Sequence, residues 1–328
     1  MLFENLVSLI DGKLLNEPSI SSFSSIAFDA KKLKRGDLYF GEKESIDEAL
    51  ENGAYGVVST AVKVKDKEIA WIKVKDVYAA KLKLLRYFIV KENLYVISLD
   101  SIKTEFAKTL QNDRDLLFIN ENIDDSIKLL NSYHDYKLVI FNNKKLYDNM
   151  ELDSYKVEIF NTIQIQKSTN FLTTFIYHDR LYKDMKISEL FKGELEYVLN
   201  LFDSLDIEYN LLKLNFISHF KPLFLDSSFK VLPFGQSRKV VILEKEQSLL
   251  EREIKFLKEK ASWAKLLLLL SKDIKCNIKD IDIKYYKNYA DVKKQNIFYY
   301  NFVIMLDLEE RFEKYLLKTD NSTINSLF

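Results

Sequence analysis

Residues 96–110, VISLDSIKTEFAKTL, place a Lys-Thr pair, Lys103 and Thr104, where an apolar strand turns into a helix. A phosphate-binding loop uses that pair: the ammonium neutralises phosphate charge and the hydroxyl reaches a bound cation. Such a loop also needs glycines, because its backbone turns through positive φ to lay several N–H groups against the phosphate. Here Leu99, Asp100, Ser101 and Ile102 fill the turn. Two readings follow, residual ATP binding or a solvent-facing lysine in the first turn of an ordinary helix. The missing glycine nest favours the second.

Other reactive side chains are sparse. His134, His178 and His219 are far apart and offer no metal-ligand spacing, so each is expected at the surface or half-buried, with His219 near the end of a helix where a cation is mildly favoured. Cys276 stands alone, which rules out an internal disulfide and suits a reducing, cytoplasmic setting. Arg35-Gly36-Asp37 reads as a turn before a strand rather than an adhesion tripeptide. Nothing forms a Ser-His-Asp, Cys-His or paired-carboxylate set, so no catalytic residue and no metal site is nominated.

Bulk properties narrow the function classes. Lys plus Arg and Asp plus Glu both total 49, so there is no basic excess to displace counterions and nucleic acid is a poor candidate partner. The N-terminus lacks a basic segment followed by a long apolar run, and LLLLL at 266–270 is far below the roughly 18 residues of a spanning helix, so neither export nor membrane insertion is expected. With 328 residues, 47% of them hydrophobic, the chain can build two or three cores.

Those residues must be positioned by alternating strands and helices. Up to residue 90, LYF (38–40), YGVVST and EIAWIKV read as strands, SIDEALENGA as a helix ended by Asn-Gly, and DVYAAKLKLLRYFI (76–89) as a helix with Val77, Ala80, Leu84 and Phe88 on one face. From 91 to 228, NLYVISL, DLLFIN and YKLVIF alternate with helices, followed by strand-like runs at 155–177 and two helices, ISELFKGELEYVLNLFDSL and EYNLLKLNFISHF. From 229 onward, SRKVVILE, AKLLLLLS and NFVIMLD are strands between the helices QSLLEREIKFLKEK and LEERFEKYLL. The expected fold class is α/β, three consecutive domains at 1–90, 91–228 and 229–328, the second and third with mostly parallel sheets.

The run IAFDAKKLKRGDLYFGEKESIDEALENGAYGVVS resembles the N-terminal domain of the Mur ligases, especially the branch that adds D-alanyl-D-alanine to the UDP-MurNAc-tripeptide. That family has an Asp-Ser-Arg triplet, a "pGDlFfA" strand, a loop with Asp-Gly-His, a helix and "GAxavv". This chain keeps Asp29, Gly36, Asp37, Leu38, Phe40, Ala49, Gly53, Ala54, Val57 and Val58 in that order. The triplet's Ser and Arg are Ala30 and Lys31, and the Asp-Gly-His loop is missing. The resemblance therefore makes Asp29, Ala30 and Lys31 the candidate contacts to a UDP precursor, with a pocket deprived of hydrogen-bonding groups. The competing reading is an inherited strand-to-turn segment.

Farther along, VISLDSIKTEFAKTL is similar to the family's "iaITGSnGKTTTK" ATP loop, which assigns Ser101, Lys103 and Thr104 as vestigial nucleotide-binding positions. The family's acidic magnesium residue falls on Asn142 and Asn143, its His-Asn pair after Gly193 on Leu195 and Glu196, and FKPL (220–223) matches "F.P..GR". VVILEKEQSLLEREIKFL resembles the "DDsYNANP" region with those residues gone, in a C-terminal domain expected to be shortened. Loss of phosphate positioning, the magnesium carboxylate and the His-Asn pair together implies released constraint. The expectation is a non-catalytic cytoplasmic protein linked to peptidoglycan precursor synthesis, binding a UDP-MurNAc-peptide or a cell-wall synthesis protein, without cofactor. One alternative is an active ATP- and magnesium-dependent amide ligase recruiting Asp100, Glu105 or Glu244. Another is a protein-interaction module whose aromatic surplus forms an exposed apolar patch.

Overall fold

The computed structural model describes residues 1–112, 115–120, 122–132 and 135–324, so His134 lies outside the described residues. The chain divides into two compact units. Unit 1 takes Met1–Thr104, Gln111–Val157 and Leu205–Glu208, and unit 2 takes Glu105–Leu110, Glu158–Ser204 and Tyr209–Phe328.

Unit 1 begins with α1 (Phe3–Leu9) and a five-stranded sheet of β1 (Lys13–Leu14), β2 (Ile26–Ala27), β3 (Leu38–Phe40), β4 (Gly56–Ser59) and β5 (Ala70–Lys73). Its order is β1-β5-β4-β3-β2, parallel except for β1. Gly36 sits at φ +96°, a conformation that a side chain resists, and so lets the chain reverse into β3. Helix α2 (Ile46–Glu51) crosses between strands, and α3 (Val77–Lys91) starts where the Asp76 carboxylate accepts the N–H groups of Tyr78 and Ala79. Val77, Ala80, Leu84, Leu85, Phe88 and Ile89 of α3 are buried, and each large apolar side chain so removed from water contributes about 1.5–3 kcal/mol.

A second, parallel sheet in this unit has the order β6-β8-β7, from β6 (Tyr95–Ser98), β7 (Leu116–Ile119) and β8 (Leu138–Phe141). It alternates with α4 (Ser101–Leu110), whose first turn lies in unit 1, with α5 (Ile123–Ser132) and with α6 (Lys144–Asp148). The strand-like run from 155 forms no ladder before Gln164. Its Tyr155 N–H makes one bond to the Val96 carbonyl, and alternation alone cannot make a strand where no sheet edge accepts the rest.

Unit 2 opens with an antiparallel meander, order β11-β10-β9, of β9 (Gln164–Ser168), β10 (Thr173–Tyr177) and β11 (Arg180–Met185). After α7 (Lys192–Ser204) comes a six-stranded sheet of order β13-β12-β14-β17-β15-β16. Its strands are β12 (Lys221–Leu225), β13 (Val231–Leu232), β14 (Val240–Glu244), β15 (Leu266–Ser271), β16 (Asp282–Tyr286) and β17 (Phe302–Leu306). Strands β14, β17, β15 and β16 are parallel, and β12 and β13 are antiparallel additions. Helices α8 (Leu250–Lys260), α9 (Tyr289–Lys294) and α10 (Phe312–Ile324) complete the unit. Every residue of β14 and β17 is buried, as expected of central strands covered on both faces.

One expected helix is absent. In EYNLLKLNFISHF only a 3-10 turn at Leu211–Lys213 forms, started by the Asn210 side chain accepting the Leu212 N–H. Leu211, Leu214, Ile217 and Phe220 are buried by an irregular chain instead, and Phe220, at φ +48°, is incompatible with helix. Tertiary burial satisfied the three-residue spacing without an intervening ladder. Among the described residues no helix is long and apolar enough to cross a membrane.

Candidate functional site

The Lys-Thr loop is occupied by its own chain. Asp100 lies just before α4 and its carboxylate accepts the Lys103 N–H at 2.8 Å and the Lys103 ammonium at 2.6 Å. A helix start attracts an anion, and here a side chain supplies it where a phosphate would sit. Thr104 is buried, donates its N–H to the Asp100 carbonyl at 2.9 Å and directs its hydroxyl to the Leu99 carbonyl at 3.4 Å. No residue from Tyr95 to Thr104 has positive φ, so the nest of a phosphate loop is not formed. Ser101 is the first residue of α4.

At the carboxyl edge of the same sheet, Asn142 donates its side-chain amide to Asn120 at 3.2 Å. Asn143 accepts the Leu146 N–H at 3.1 Å and caps α6. These amides serve as local structural groups. In the other candidate segment of unit 1, the Asp29 carboxylate accepts the Lys31 N–H at 3.0 Å and starts a 3-10 turn over Ala30–Lys32. Ala30 is buried and its carbonyl accepts from Asn52 at 2.9 Å, whereas Lys31 is exposed. Of this triplet, Lys31 is exposed and Asp29 half-buried. Gly36 and Asp37 are a turn, the Asp37 carboxylate accepting the Lys34 N–H at 3.0 Å.

In unit 2, Leu195 and Glu196, which the resemblance sets opposite a His-Asn pair, are held by contacts within the unit. Leu195 belongs to the core, and buried Glu196 accepts the Ile163 N–H at 2.7 Å and faces the Lys192 ammonium at 3.2 Å.

The same unit holds an ionisable cluster that local patterns did not indicate. Glu244, the last residue of β14, is fully buried and accepts from His219 Nδ1 at 2.7 Å, Phe220 N–H at 3.1 Å, and the N–H groups of Lys245 and Glu246, both at 2.8 Å. Burial works against its charge, but His219 and the adjoining Glu253 carboxyl outweigh it and hold the Glu244 pKa below the ordinary value. Glu253, on α8, is fully buried and neither of its oxygens meets a partner of hydrogen-bonding geometry among the described residues. Burial first, then the adjoining Glu244 carboxylate, push its pKa well up. His219 is therefore a core residue before β12, correcting the expectation of a surface or half-buried histidine at a helix end: Glu244 compensates its burial, and the expected helix does not exist.

Glu105 joins the same neighbourhood, accepting the N–H and the hydroxyl of Ser218, each at 2.7 Å. Lys245 lies 3.7 Å from Glu105 and 3.2 Å from Glu310, beside a cleft of about 200 Å³ that also touches Glu244, Asp307 and Glu313. Asp307 accepts from the Tyr289 hydroxyl at 2.6 Å and the Phe312 N–H at 2.8 Å, and Glu313 pairs with Lys221 at 2.5 Å. The structure thus brings Glu105 and Glu244 around residues 218–220 and Lys245, while Asp100 is committed to Lys103 in unit 1. These cleft carboxylates already have cations or donors. Among the described residues no group of three His, Cys, Asp or Glu side chains is arranged to hold a metal ion.

A second polar network joins Tyr177, Tyr209 and Asp203: the Tyr177 hydroxyl donates to Asp203 at 2.5 Å, and Tyr209 does so at 2.8 Å. Burial, then the Asp203 hydrogen bond, raises the Tyr177 pKa; burial raises that of Tyr209, against an opposing bond to Tyr177. His178 sits nearby in the β10–β11 turn at φ +45° and is exposed.

The sequence matches no protein-family model and no curated protein. Solved structures do match over nearly the whole chain. MurF ligase from Thermotoga maritima, solved in complex with ADP, aligns with a TM-score of 0.56 at 13% identity, covering 90% of this chain and 98% of its own. MurF from Acinetobacter baumannii aligns with a TM-score of 0.58 at 9% identity, covering 97% of both chains. This chain has the Mur-ligase fold. Within that fold, the Lys-Thr turn, the two asparagines and the Leu195–Glu196 pair are taken up by contacts of their own.

Proposed function

We propose that this protein is a non-catalytic member of the Mur-ligase lineage, retaining the fold as a binding or scaffolding component of peptidoglycan precursor synthesis in the bacterial cytoplasm. Its ligand class is the UDP-MurNAc-peptide, held by the segment around Asp29–Lys31, and it works without ATP, magnesium or another cofactor. The division into domains 1–90, 91–228 and 229–328 belongs to the same reading. The observation that carries it is the closed Lys-Thr turn, in which Asp100 occupies the helix start and the Lys103 ammonium. ATP would have to displace a covalently tethered anion from a loop without glycines. The fold likeness supports the link to precursor chemistry, since the aligned proteins are MurF ligases.

Thermal melting of the full chain tests this. A ligand that binds only the folded state raises the melting temperature by mass action. UDP-MurNAc-peptide is expected to raise it, and ATP with Mg²⁺ to leave it unchanged. A rise with ATP and Mg²⁺ that disappears in Lys103→Ala, accompanied by ATP hydrolysis, would overturn the proposal and favour the ligase reading, with Glu105 and Glu244 as its carboxylates.

A further inference from the structure

At the amino ends of the parallel strands of unit 2, opposite the edge that carries Glu244, the surface hollows into a pocket of about 550 Å³. That size lies within the roughly 300–1,000 Å³ of small-molecule sites. Val240 and Phe302, paired first residues of β14 and β17, form its floor together with Phe171 from the β9–β10 turn. Phe171 contacts Phe224 at 6.1 Å and Phe302 at 6.0 Å, Phe224 contacts Phe234 at 4.8 Å, and Trp263 stands 6.3 Å from Phe302.

The inner rings of this series are buried, but its outer members are not: Trp263 is 72% exposed and Phe234 43% exposed. Large aromatic groups held in water beside a concave apolar floor are the arrangement that a planar ligand completes. One charge lies on the lining. The Arg238 guanidinium has no ion-pair or hydrogen-bond partner among the described residues, and no carboxylate lines the pocket with it. Asn170 and Asn301 add side-chain amides, with Asn301 Oδ1 already accepting the Lys265 N–H at 2.9 Å. An apolar cleft with one unpaired guanidinium selects a ligand that is apolar over most of its surface and negative at one end.

We propose that this pocket binds a small aromatic carboxylate, its ring against Phe171, Phe302 and Trp263 and its carboxylate on Arg238. The inference stands independently of the function proposed above, because all of its residues lie in unit 2 and none is among residues 29–31 or 100–104.

The two tryptophans give a direct readout. Trp71 is fully buried in unit 1, its indole N–H donating to the Asp66 carbonyl at 2.6 Å, so the indole resonance of Trp263 alone should respond. The ¹⁵N-labelled full chain is titrated with 1-naphthoate and, separately, with the neutral 1-naphthalenemethanol, the indole resonances being assigned with Trp263→Phe. Saturable movement of the Trp263 resonance is expected, with the acid bound at least tenfold more tightly than the alcohol. Arg238→Gln, an exposed substitution whose melting temperature should match the parent, is expected to reduce acid binding to the alcohol's level. A Trp263 resonance unmoved at about 1 mM acid would refute the site, that limit being a very weak complex. Equal binding of acid and alcohol, or an undiminished Arg238→Gln, would refute the anion selectivity on which the proposal rests.

Discussion

At the residue scale, one consequence concerns Glu253 and Glu244, two buried carboxyl groups driven in opposite directions. Glu253 holds its proton in the folded state more tightly than in the unfolded chain. Between the unfolded value of about 4.3 and its raised folded value, the folded state binds more protons, so stability from this group falls as pH rises. Glu253→Gln removes that dependence, and its melting temperature is expected to gain on the parent's as pH is raised above about 4.5. A constant difference across pH would contradict this account. Glu244 has the opposite sign, contributing stability above its unfolded pKa that is lost in acid. Glu244→Gln should cost about 1–3 kcal/mol at neutral pH in denaturant unfolding, since it weakens the hydrogen bonds that a fully buried carboxylate accepts from His219 and three backbone N–H groups. At the Lys-Thr turn, Asp100→Ala should cost about 1 kcal/mol as the loss of a helix cap. Lys103→Ala should cost less than about 1 kcal/mol, its side chain being partly exposed. If Lys103→Ala were the more destabilising of the two, the cap assignment would fail.

At the element scale, sequence periodicity located most strands and helices because their burial repeats locally. YVIS, LVIF and VVILE are runs that suit strands buried on both faces, and Asp76 announces α3 one residue before its first apolar position. It failed over 208–220, where residues spaced by three were buried by an irregular segment and Phe220 took positive φ. The turn before β3 offers a test at this scale. Gly36→Ala places a methyl group 2.9 Å from the Ser24 hydroxyl oxygen at φ +96°, and a loss of about 1–2 kcal/mol is expected from thermal or urea unfolding. A neutral substitution would mean that the turn relaxes into another conformation.

At the scale of the whole molecule, each unit has a core of its own, around Leu84 and Val139 in the first and Leu267 and Met305 in the second. Separate cores loosen the all-or-none behaviour of small single domains. Calorimetric unfolding is therefore expected to give an enthalpy larger than the van't Hoff value, and agreement of the two would show the cores melting as one. Within this molecule, the sequence by itself determined the α/β class, the resemblance to Mur ligases and the absence of glycine from the Lys-Thr turn, because each depends on residue types at short, fixed spacing. Tertiary structure alone decided that Glu244 meets His219 and Glu253, and that Phe171, Arg238 and Trp263 share a pocket. Strand order is the physical reason. Once β17 enters between β14 and β15, residues tens of positions apart become neighbours at one sheet edge, and local periodicity contains no record of which strands will pair.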